Sequence, residues 1–204
     1  MKSMSRMFAA VLLLFGLTVP VYGEMLAVPN GGFEAGLTAP WGTGQRFNNS
    51  TAWWNSKNCD STATIDAKRS CSGSHSLHII NNSERAANVY GTTQQPFPTE
   101  PGHRYRLSVW ARANELASHG AVSLIVDEAW GLRPIPLPKG TYGWTQFTGE
   151  FSSKTGETQI RILSEDRGEV WLDDIQLEKL ESSSSTSSRQ PDEQIAENIA
   201  SRFL

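Results

Sequence analysis

The chain has 204 residues, of which 38% are hydrophobic and 19% are charged, and its formal net charge is −3 at pH 7. This length accommodates one sizeable hydrophobic core and leaves little room for a second full domain. The small negative charge argues against a nucleic-acid partner, which would require a basic face.

The first 23 residues have the layout of a secretory signal peptide. Two basic residues precede an apolar run at residues 7–17, and small residues occupy the −3 and −1 positions before Glu24. The alternative is an uncleaved membrane anchor, but the run is shorter than the roughly 20 residues that a span requires, and Pro20 interrupts it. We therefore expect residues 1–23 to be removed, and the mature chain to be secreted or periplasmic without a membrane span.

The two cysteines, Cys59 and Cys71, lie close together in sequence and outside this leader. In an oxidising compartment they most simply form one disulfide, which closes a short loop and contributes about 2–3 kcal/mol. A metal site is the weaker alternative, because two thiolates without neighbouring histidines make an incomplete ligand set. Redox catalysis is disfavoured as well, because the spacing is not Cys-x-x-Cys. The sequence therefore predicts a structural Cys59–Cys71 disulfide.

An alternation of apolar and polar side chains with a period of two predicts β-strands through residues 24–180. It is clearest at residues 104–112, where Tyr105, Leu107, Val109 and Ala111 alternate with polar residues and a tryptophan. Further segments of this kind occur at residues 76–80, 121–127, 144–151, 159–163 and 169–178, and turn signals separate them. Short strands without intervening helices predict an all-β domain, an antiparallel two-sheet β-sandwich.

Two different segments follow this domain. Residues 181–190 are rich in serine and have no apolar side chains to bury, which predicts a flexible linker. In residues 191–204, Ile195, Ile199 and Phe203 recur at helical spacing, which predicts a short amphipathic helix. This helix either docks on a partner or begins a further region.

Three sets of motifs occur in order along the β domain. The first is Asn30-Gly31-Gly32-Phe33-Glu34 followed by Trp41, and the second is Gly73-Ser74-His75-Ser76-Leu77-His78-Ile79 followed by the strand at residues 104–112. The third is Trp144-Thr145-Gln146-Phe147 followed by Trp171-Leu172-Asp173-Asp174-Ile175. In order and spacing these motifs resemble those of carbohydrate-binding modules of families 4, 9 and 22, and the resemblance covers about residues 26–179.

The resemblance implies a jelly-roll β-sandwich of the galactose-binding-domain-like type that binds a polysaccharide, such as a β-glucan or a xylan, without catalysis. It also implies a structural Ca²⁺ held by Glu34 with Asp173 or Asp174, of which Asp174 is the predicted ligand. Because Ca²⁺ takes six to eight oxygens, backbone carbonyls near residues 72–75 would complete the shell. The alternative is that these acids cap turns or pair with basic side chains.

A sugar site requires flat aromatic rings for stacking and polar groups that orient hydroxyls. The predicted ligand contacts are Trp53, Trp54, Tyr90, Trp110, Arg112, Trp130 and Glu165. Tyr90 and Glu165 are included because they stand where related modules present a stacking aromatic and a hydrogen-bonding acid. The alternative for each tryptophan is packing, which is the more common role. We expect Trp41, Trp144 and Trp171 to pack in or at the edge of the core.

Two other classes of function share this fold and stay open. An enzyme is the first, because several carboxylates offer possible pairs for glycoside hydrolysis, and Arg112 with Tyr90 would imitate the base and charge-neutralising pair of a lyase. No familiar catalytic motif supports it, however. A protein-interaction module of the cell envelope is the second, since fold alone does not determine function. The serine tract would tether the module to a catalytic or cell-surface partner.

Overall fold

The computed structural model describes residues 23–38, 40–42, 53–56, 59–84, 90–93, 96–126 and 132–181. Within these ranges every regular element is a strand. In chain order they are β1 (Glu24–Leu26), β2 (Ser61–Asp66), β3 (Ser76–Asn81), β4 (Tyr90–Thr93), β5 (Phe97–Pro98), β6 (Arg104–Leu116), β7 (Val122–Val126), β8 (Ile135–Pro136), β9 (Gly140–Ser152), β10 (Glu157–Thr158), β11 (Ile160–Ser164) and β12 (Gly168–Lys179). The same ranges contain no helix long and apolar enough to cross a bilayer.

The larger sheet, sheet A, has the strand order β2-β3-β12-β6-β9, and all its pairs are antiparallel. Its centre is the long pair β12 and β6, in which Leu172 lies opposite Ala111 and Leu177 opposite Leu107. The register of this pair shifts between Asp173 and Gln176. The short strand β1 adds to the last residues of β12, where Glu24 pairs with Lys179.

The smaller sheet, sheet B, has the order β4-β11-β7-β8 and is also antiparallel. In the β11–β7 pair, Ile162 lies opposite Leu124, and both side chains are fully buried. A separate pair of two-residue strands, β5 and β10, places Phe97 opposite Thr158. β5 follows β4 in the chain, and β10 precedes β11. The two chain segments that pair through β4 and β11 therefore pair a second time through β5 and β10.

The core lies between the two sheets and takes alternate residues from their strands. Leu107, Val109 and Ala111 of β6 face Leu124 and Ile162 of sheet B within one buried apolar cluster. Because side chains alternate across a strand, the residues between them point to the outer faces of the sandwich. The predicted all-β, two-sheet β-sandwich is confirmed, and the strand at residues 104–112 is the centre of β6.

The predicted disulfide is wrong, because Cys59 and Cys71 are both free in the structure. The backbone amide of Cys71 donates to Asp173 Oδ2 at 2.7 Å. This hydrogen bond places Cys71 near Asp66, the last residue of β2. Cys59 lies before the other end of the same strand. A strand of six residues spans about 17 Å, whereas a disulfide requires Cα atoms within about 7 Å.

Several predicted segments lie outside the described residues. They are the body of the leader (residues 1–22), most of the serine-rich linker and the C-terminal helix (residues 182–204), and Trp130. The leader, the linker and the helix stay predictions.

Candidate functional site

The predicted ligand contacts fall on two separate parts of the sandwich. Trp53, Trp54, Tyr90 and Glu165 gather at the end where β2 begins and β11 ends. Trp110 and Arg112 instead lie on the outer face of sheet A, because the residues that alternate with them on β6 belong to the core. The sequence alone did not distinguish these two surfaces.

A chain of contacts joins the tryptophan pair to sheet B at this end. The indole of Trp53 donates to Ser61 Oγ at 3.1 Å, and Ser61 lies opposite Asn81 across the β2–β3 pair. The Asn81 amide crosses the sandwich and donates to Ser164 Oγ at 3.1 Å. Ser164 in turn lies opposite Tyr90 in the β11–β4 pair. We call the set Trp53, Trp54, Tyr90, Arg133 and Glu165 the end surface.

Glu165 directly follows β11 and is fixed by two elements of sheet B. Its backbone amide donates to the carbonyl of Ala121 at 2.7 Å. Its carboxylate accepts two hydrogen bonds from Arg133, one from Nη1 and one, at 3.1 Å, from Nη2. These bonds raise the pKa of Arg133 above its usual range, against the opposing effect of burial. The bidentate geometry fixes the guanidinium and the carboxylate in one plane.

Sequence reasoning missed Arg133, because a lone arginine in a loop carries no motif or periodicity. It also missed Arg161, whose side chain alternates with those of Ile160 and Ile162 on β11 and therefore belongs to the outer face of sheet B. Arg161 is buried and donates to Gln159 Oε1 at 2.8 Å. Arg161 therefore adds a second guanidinium to the strand that leads to Glu165.

The two adjacent tryptophans of the end surface have different environments. Trp53 packs against the core and uses its indole nitrogen on Ser61. Trp54 is 44% exposed, one of the three large apolar side chains that the described residues leave exposed, with Met25 and Ile80. The neighbouring Asn55 amide donates to the carbonyl of Ser61 at 3.1 Å, so this short segment is fixed on both sides of Trp54. An exposed ring on an anchored segment is available for stacking.

The outer face of sheet A has a different character. There Arg112 lies opposite Trp171, and Trp171 lies opposite His78. Trp171 is buried as expected, but it is covered from outside the sandwich by these side chains rather than by the core. Trp144 is half-buried, whereas Trp41 lies fully inside the core and stacks on Phe33.

The acidic residues of the first and last motifs converge on one loop, residues 70–75. Glu34 accepts hydrogen bonds from the amides of Ser74 and His75, at 2.9 and 3.1 Å, and from the side chains of both residues. The bond from the His75 ring is the largest of the effects that lower the pKa of Glu34 to about 2. Asp174 accepts from Ser72 Oγ at 2.9 Å. We call these contacts the carboxylate clasp.

Asp173 forms the buried part of the clasp. Its side chain is fully buried and accepts from the amides of Cys71 and Ser72, at 2.7 and 3.1 Å, and from that of Asp174 at 2.8 Å. Burial raises the pKa of Asp173, although these hydrogen bonds oppose the shift. Asp173 and Asp174 therefore hold a loop, and Asp173 has no access to a substrate.

The donor set of the clasp fits a hard cation in chemical type. The carboxylates of Glu34 and Asp174 both accept hydrogen bonds from the loop at residues 70–75. Gly32 lies close to the two aspartates, because a Cβ atom on it would meet oxygens of Asp174 and Asp173 at 3.5 and 3.6 Å. In the part of the chain that the structure describes, no three His, Cys, Asp or Glu side chains form a metal-binding group. A Ca²⁺ ion would therefore require backbone carbonyls in addition.

No protein-family model matches the chain, and no curated protein matches it in sequence. Solved structures do match. The carbohydrate-binding module TmCBM61, solved with β-1,4-galactotriose, has a TM-score of 0.52 at 17% identity over 74% of this chain and 96% of that module. A family 4 carbohydrate-binding module has a TM-score of 0.53 at 13% identity over 76% of this chain and all of that one.

An enzyme has a similar structure as well. The Stig cyclase Fisc from Fischerella sp. TAU, solved with an indole-containing ligand, has a TM-score of 0.51 at 15% identity, covering 78% of this chain and 99% of that one. At such low identities the likeness concerns the fold, and this fold supports both binding and catalysis. The chain therefore has the β-sandwich fold of these carbohydrate-binding modules, which the cyclase shares.

Proposed function

We propose that the chain is an exported, non-catalytic carbohydrate-binding module that holds a polysaccharide of the β-glucan or xylan type on its end surface. The observation that carries this proposal is that the exposed Trp54, the Arg133–Glu165 pair and the backbone of Tyr90 lie at one end of the sandwich. Pyranose rings have apolar C–H faces and rims of hydroxyls. An exposed indole stacks on the first, and a fixed guanidinium and carboxylate bond to the second.

Two of the described acidic residues, Asp173 and Glu165, are poorly suited to hydrolysis. Glycoside hydrolysis normally requires two carboxylates that face each other across the scissile bond. Asp173 is fully buried, and Glu165 is held by Arg133 in a two-bond ion pair. The fold supports the binding role further, since TmCBM61 was solved with a β-1,4-linked galactotriose.

Affinity electrophoresis against a panel of soluble polysaccharides tests the proposal. The panel contains β-glucans, xylans and β-1,4-galactan, and each polysaccharide is also assayed for new reducing ends. Retarded migration without sugar release is the expected result. Sugar release would instead identify an enzyme, and neither effect on any polysaccharide would favour a protein-interaction module.

We also propose that Ca²⁺ binds at the carboxylate clasp, where Glu34 and Asp174 would be its carboxylate ligands. The ion would stabilise the junction of the first and last strands with the loop at residues 70–75. An ion that binds only the folded state stabilises it by about 2.7 kcal/mol at a concentration of one hundred times its dissociation constant.

Thermal denaturation in Ca²⁺ and in a chelator tests whether Ca²⁺ binds at the carboxylate clasp. Ca²⁺ should raise the melting temperature of the wild type, and Glu34→Gln should abolish the increase. A melting temperature that is equal in both buffers, or an increase that persists in Glu34→Gln, contradicts the Ca²⁺ site.

We also propose that the protein is exported and that its leader is cleaved before Glu24. Cleavage before Glu24 would leave β1 complete, because β1 begins at this residue and pairs with Lys179. The serine-rich segment after residue 180 would then tether the module to a catalytic or cell-surface partner, which raises the local substrate concentration for an enzyme. Mass spectrometry of the secreted protein should find Glu24 at the N-terminus, and a retained leader would contradict export by this route.

A further inference from the structure

The outer face of sheet A carries a second cluster of aromatic and charged side chains, on a different face of the sandwich from the end surface. It consists of Arg69, Trp110, Arg112, Glu169 and Trp171, and we call it the sheet A face. Arg112 and Trp171 are cross-strand partners in the β6–β12 pair. Trp110 precedes Arg112 by two residues on β6 and so points to the same side, about 7 Å away.

Trp171 forms the floor of this surface and is held rigidly. Its ring stacks on that of His78 with 4.5 Å between centroids and an interplanar angle of 3°. The guanidinium carbons of Arg69 and Arg112 lie 5.0 and 5.9 Å from its ring. Its indole nitrogen donates to Asp66 Oδ2 at 2.9 Å. Only 4% of Trp171 is exposed, so its role is to position the two arginines.

The acidic side chains on this face already have partners. Glu169 accepts from His78 Nε2 at 2.8 Å and from Asn114 Nδ2 at 3.1 Å. Asp66 accepts from Trp171 and from two backbone amides, and it lies 3.7 Å from a guanidinium nitrogen of Arg69. The carboxylates of Glu169 and Asp66 are therefore already bonded to donors within the cluster.

Arg112, in contrast to these two acids, has no such partner among the described residues. It is exposed, and the described residues place no hydrogen-bond acceptor or carboxylate on its guanidinium. The other arginines of β6 are different, because Arg104 and Arg106 both bond to Glu150 and Arg106 also bonds to Glu178. A guanidinium that is oriented over a buried indole, but not neutralised, is prepared for an anionic group from outside.

An open cleft of about 450 Å³ lies beside Arg112. Arg69, Arg112, Asn114, Thr141, Glu169 and Trp171 contribute to its lining. Its polar groups are of the kinds that bond to sugar hydroxyls. The half-buried ring of Trp110 lies outside this lining, two positions along β6 from Arg112. Arg112 thus combines an unneutralised cation with the hydroxyl-bonding groups of the cleft and with a ring two positions away on its own strand.

We propose that the sheet A face is a second glycan-binding surface, selective for saccharides that carry a carboxylate, such as uronic acids. The sugar ring lies against Trp110, and its carboxylate binds the guanidinium of Arg112. This proposal goes beyond the binding of neutral chains at the end surface and does not depend on it. Because the chain has a formal net charge of −3, general attraction to a polyanion does not explain such binding.

Titration calorimetry with a galacturonate oligomer and with its fully methyl-esterified form tests the proposal. The protein should bind the acidic oligomer at least about tenfold more tightly, because esterification removes the charge-assisted hydrogen bonds. Arg112→Gln should lose this preference, and Arg112→Lys should restore only part of it, because an ammonium lacks the planar fork of the guanidinium.

Arg104→Gln is the matched control, because it removes an exposed arginine from the same strand that already has a carboxylate partner. It should leave the affinity for the acidic oligomer within about twofold of the wild type. Equal affinities of the wild type for the two oligomers, or equal losses in Arg104→Gln and Arg112→Gln, would overturn the proposal. Failure of neutral-glycan binding in Trp54→Ala concerns the end surface only, so the two proposals fail separately.

Discussion

Replacing Trp54 with alanine removes the exposed ring from the end surface. A tryptophan side chain contributes at most about 250 Å² of contact area, so its 44% exposure corresponds to roughly 110 Å². A sugar ring that covers half of this area removes about 55 Å² from water, which is worth about 1.4 kcal/mol at ~25 cal/mol per Å². We therefore expect Trp54→Ala to weaken binding of a neutral oligosaccharide about tenfold.

Titration calorimetry with the best polysaccharide of the panel measures this loss. Met25→Ala is the matched control, because Met25 is 57% exposed but lies on β1, opposite Glu178 and far from the end surface. It should bind like the wild type. Thermal denaturation of both variants shows whether each is folded. If Trp54→Ala binds within twofold of the wild type while folded, stacking on Trp54 is refuted.

Three further predictions concern the cysteines and the carboxylate clasp. Both thiols should react with a thiol reagent in the denatured protein without prior reduction, and a reductant should leave the melting temperature unchanged; an intact mass lower by two hydrogens would contradict this. Gly73→Ala should destabilise the protein more than Gly102→Ala, as measured by denaturant unfolding. Both glycines have positive φ, but only a Cβ on Gly73 meets an obstacle, Glu34 Oε1 at 2.1 Å. The pKa of Glu34 is lowered from 4.5 to about 2, so its stabilising effect is present above pH 4.5 and is lost as the pH falls towards 2. Glu34→Gln should flatten the stability profile in that window, and an unchanged profile would exclude the clasp.

The fold was predictable from the sequence because its strongest signal is local. The alternation at residues 104–112 specifies which side of β6 faces the core, and Leu107, Val109 and Ala111 are indeed fully buried. In the structure Asp173 and Asp174 accept hydrogen bonds from Ser72, in the loop where the sequence predicts a Ca²⁺ site, and that site stays a prediction.

The pairing of the cysteines was not predictable from sequence separation. Cys59 and Cys71 are only twelve positions apart, but β2 runs between them and holds them at opposite ends of a strand. Proximity in sequence indicates proximity in space only when the intervening residues form a turn. Here the intervening residues 61–66 alternate weakly, so their strand was not recognised.

The division of the site into two surfaces required the sheet order. Trp110 and Glu165 both occupy positions that alternate with core residues of their segments. However, β6 belongs to sheet A and β11 to sheet B. The sequence does not reveal which sheet each strand joins. For the same reason the cover of Trp171 by His78, which follows from the β3–β12 register, was not foreseen.

A titration followed in ¹⁵N–¹H spectra determines whether neutral glycans bind at the end surface. The indole N–H signals of Trp53 and Trp54 report on this surface, whereas that of Trp171, bonded to Asp66, reports on the sheet A face. A neutral β-linked oligosaccharide should shift the signals of Trp53 and Trp54 in a saturable manner and leave that of Trp171 in place. Saturable shifts confined to Trp171, with the signals of Trp53 and Trp54 unmoved, would contradict binding at the end surface.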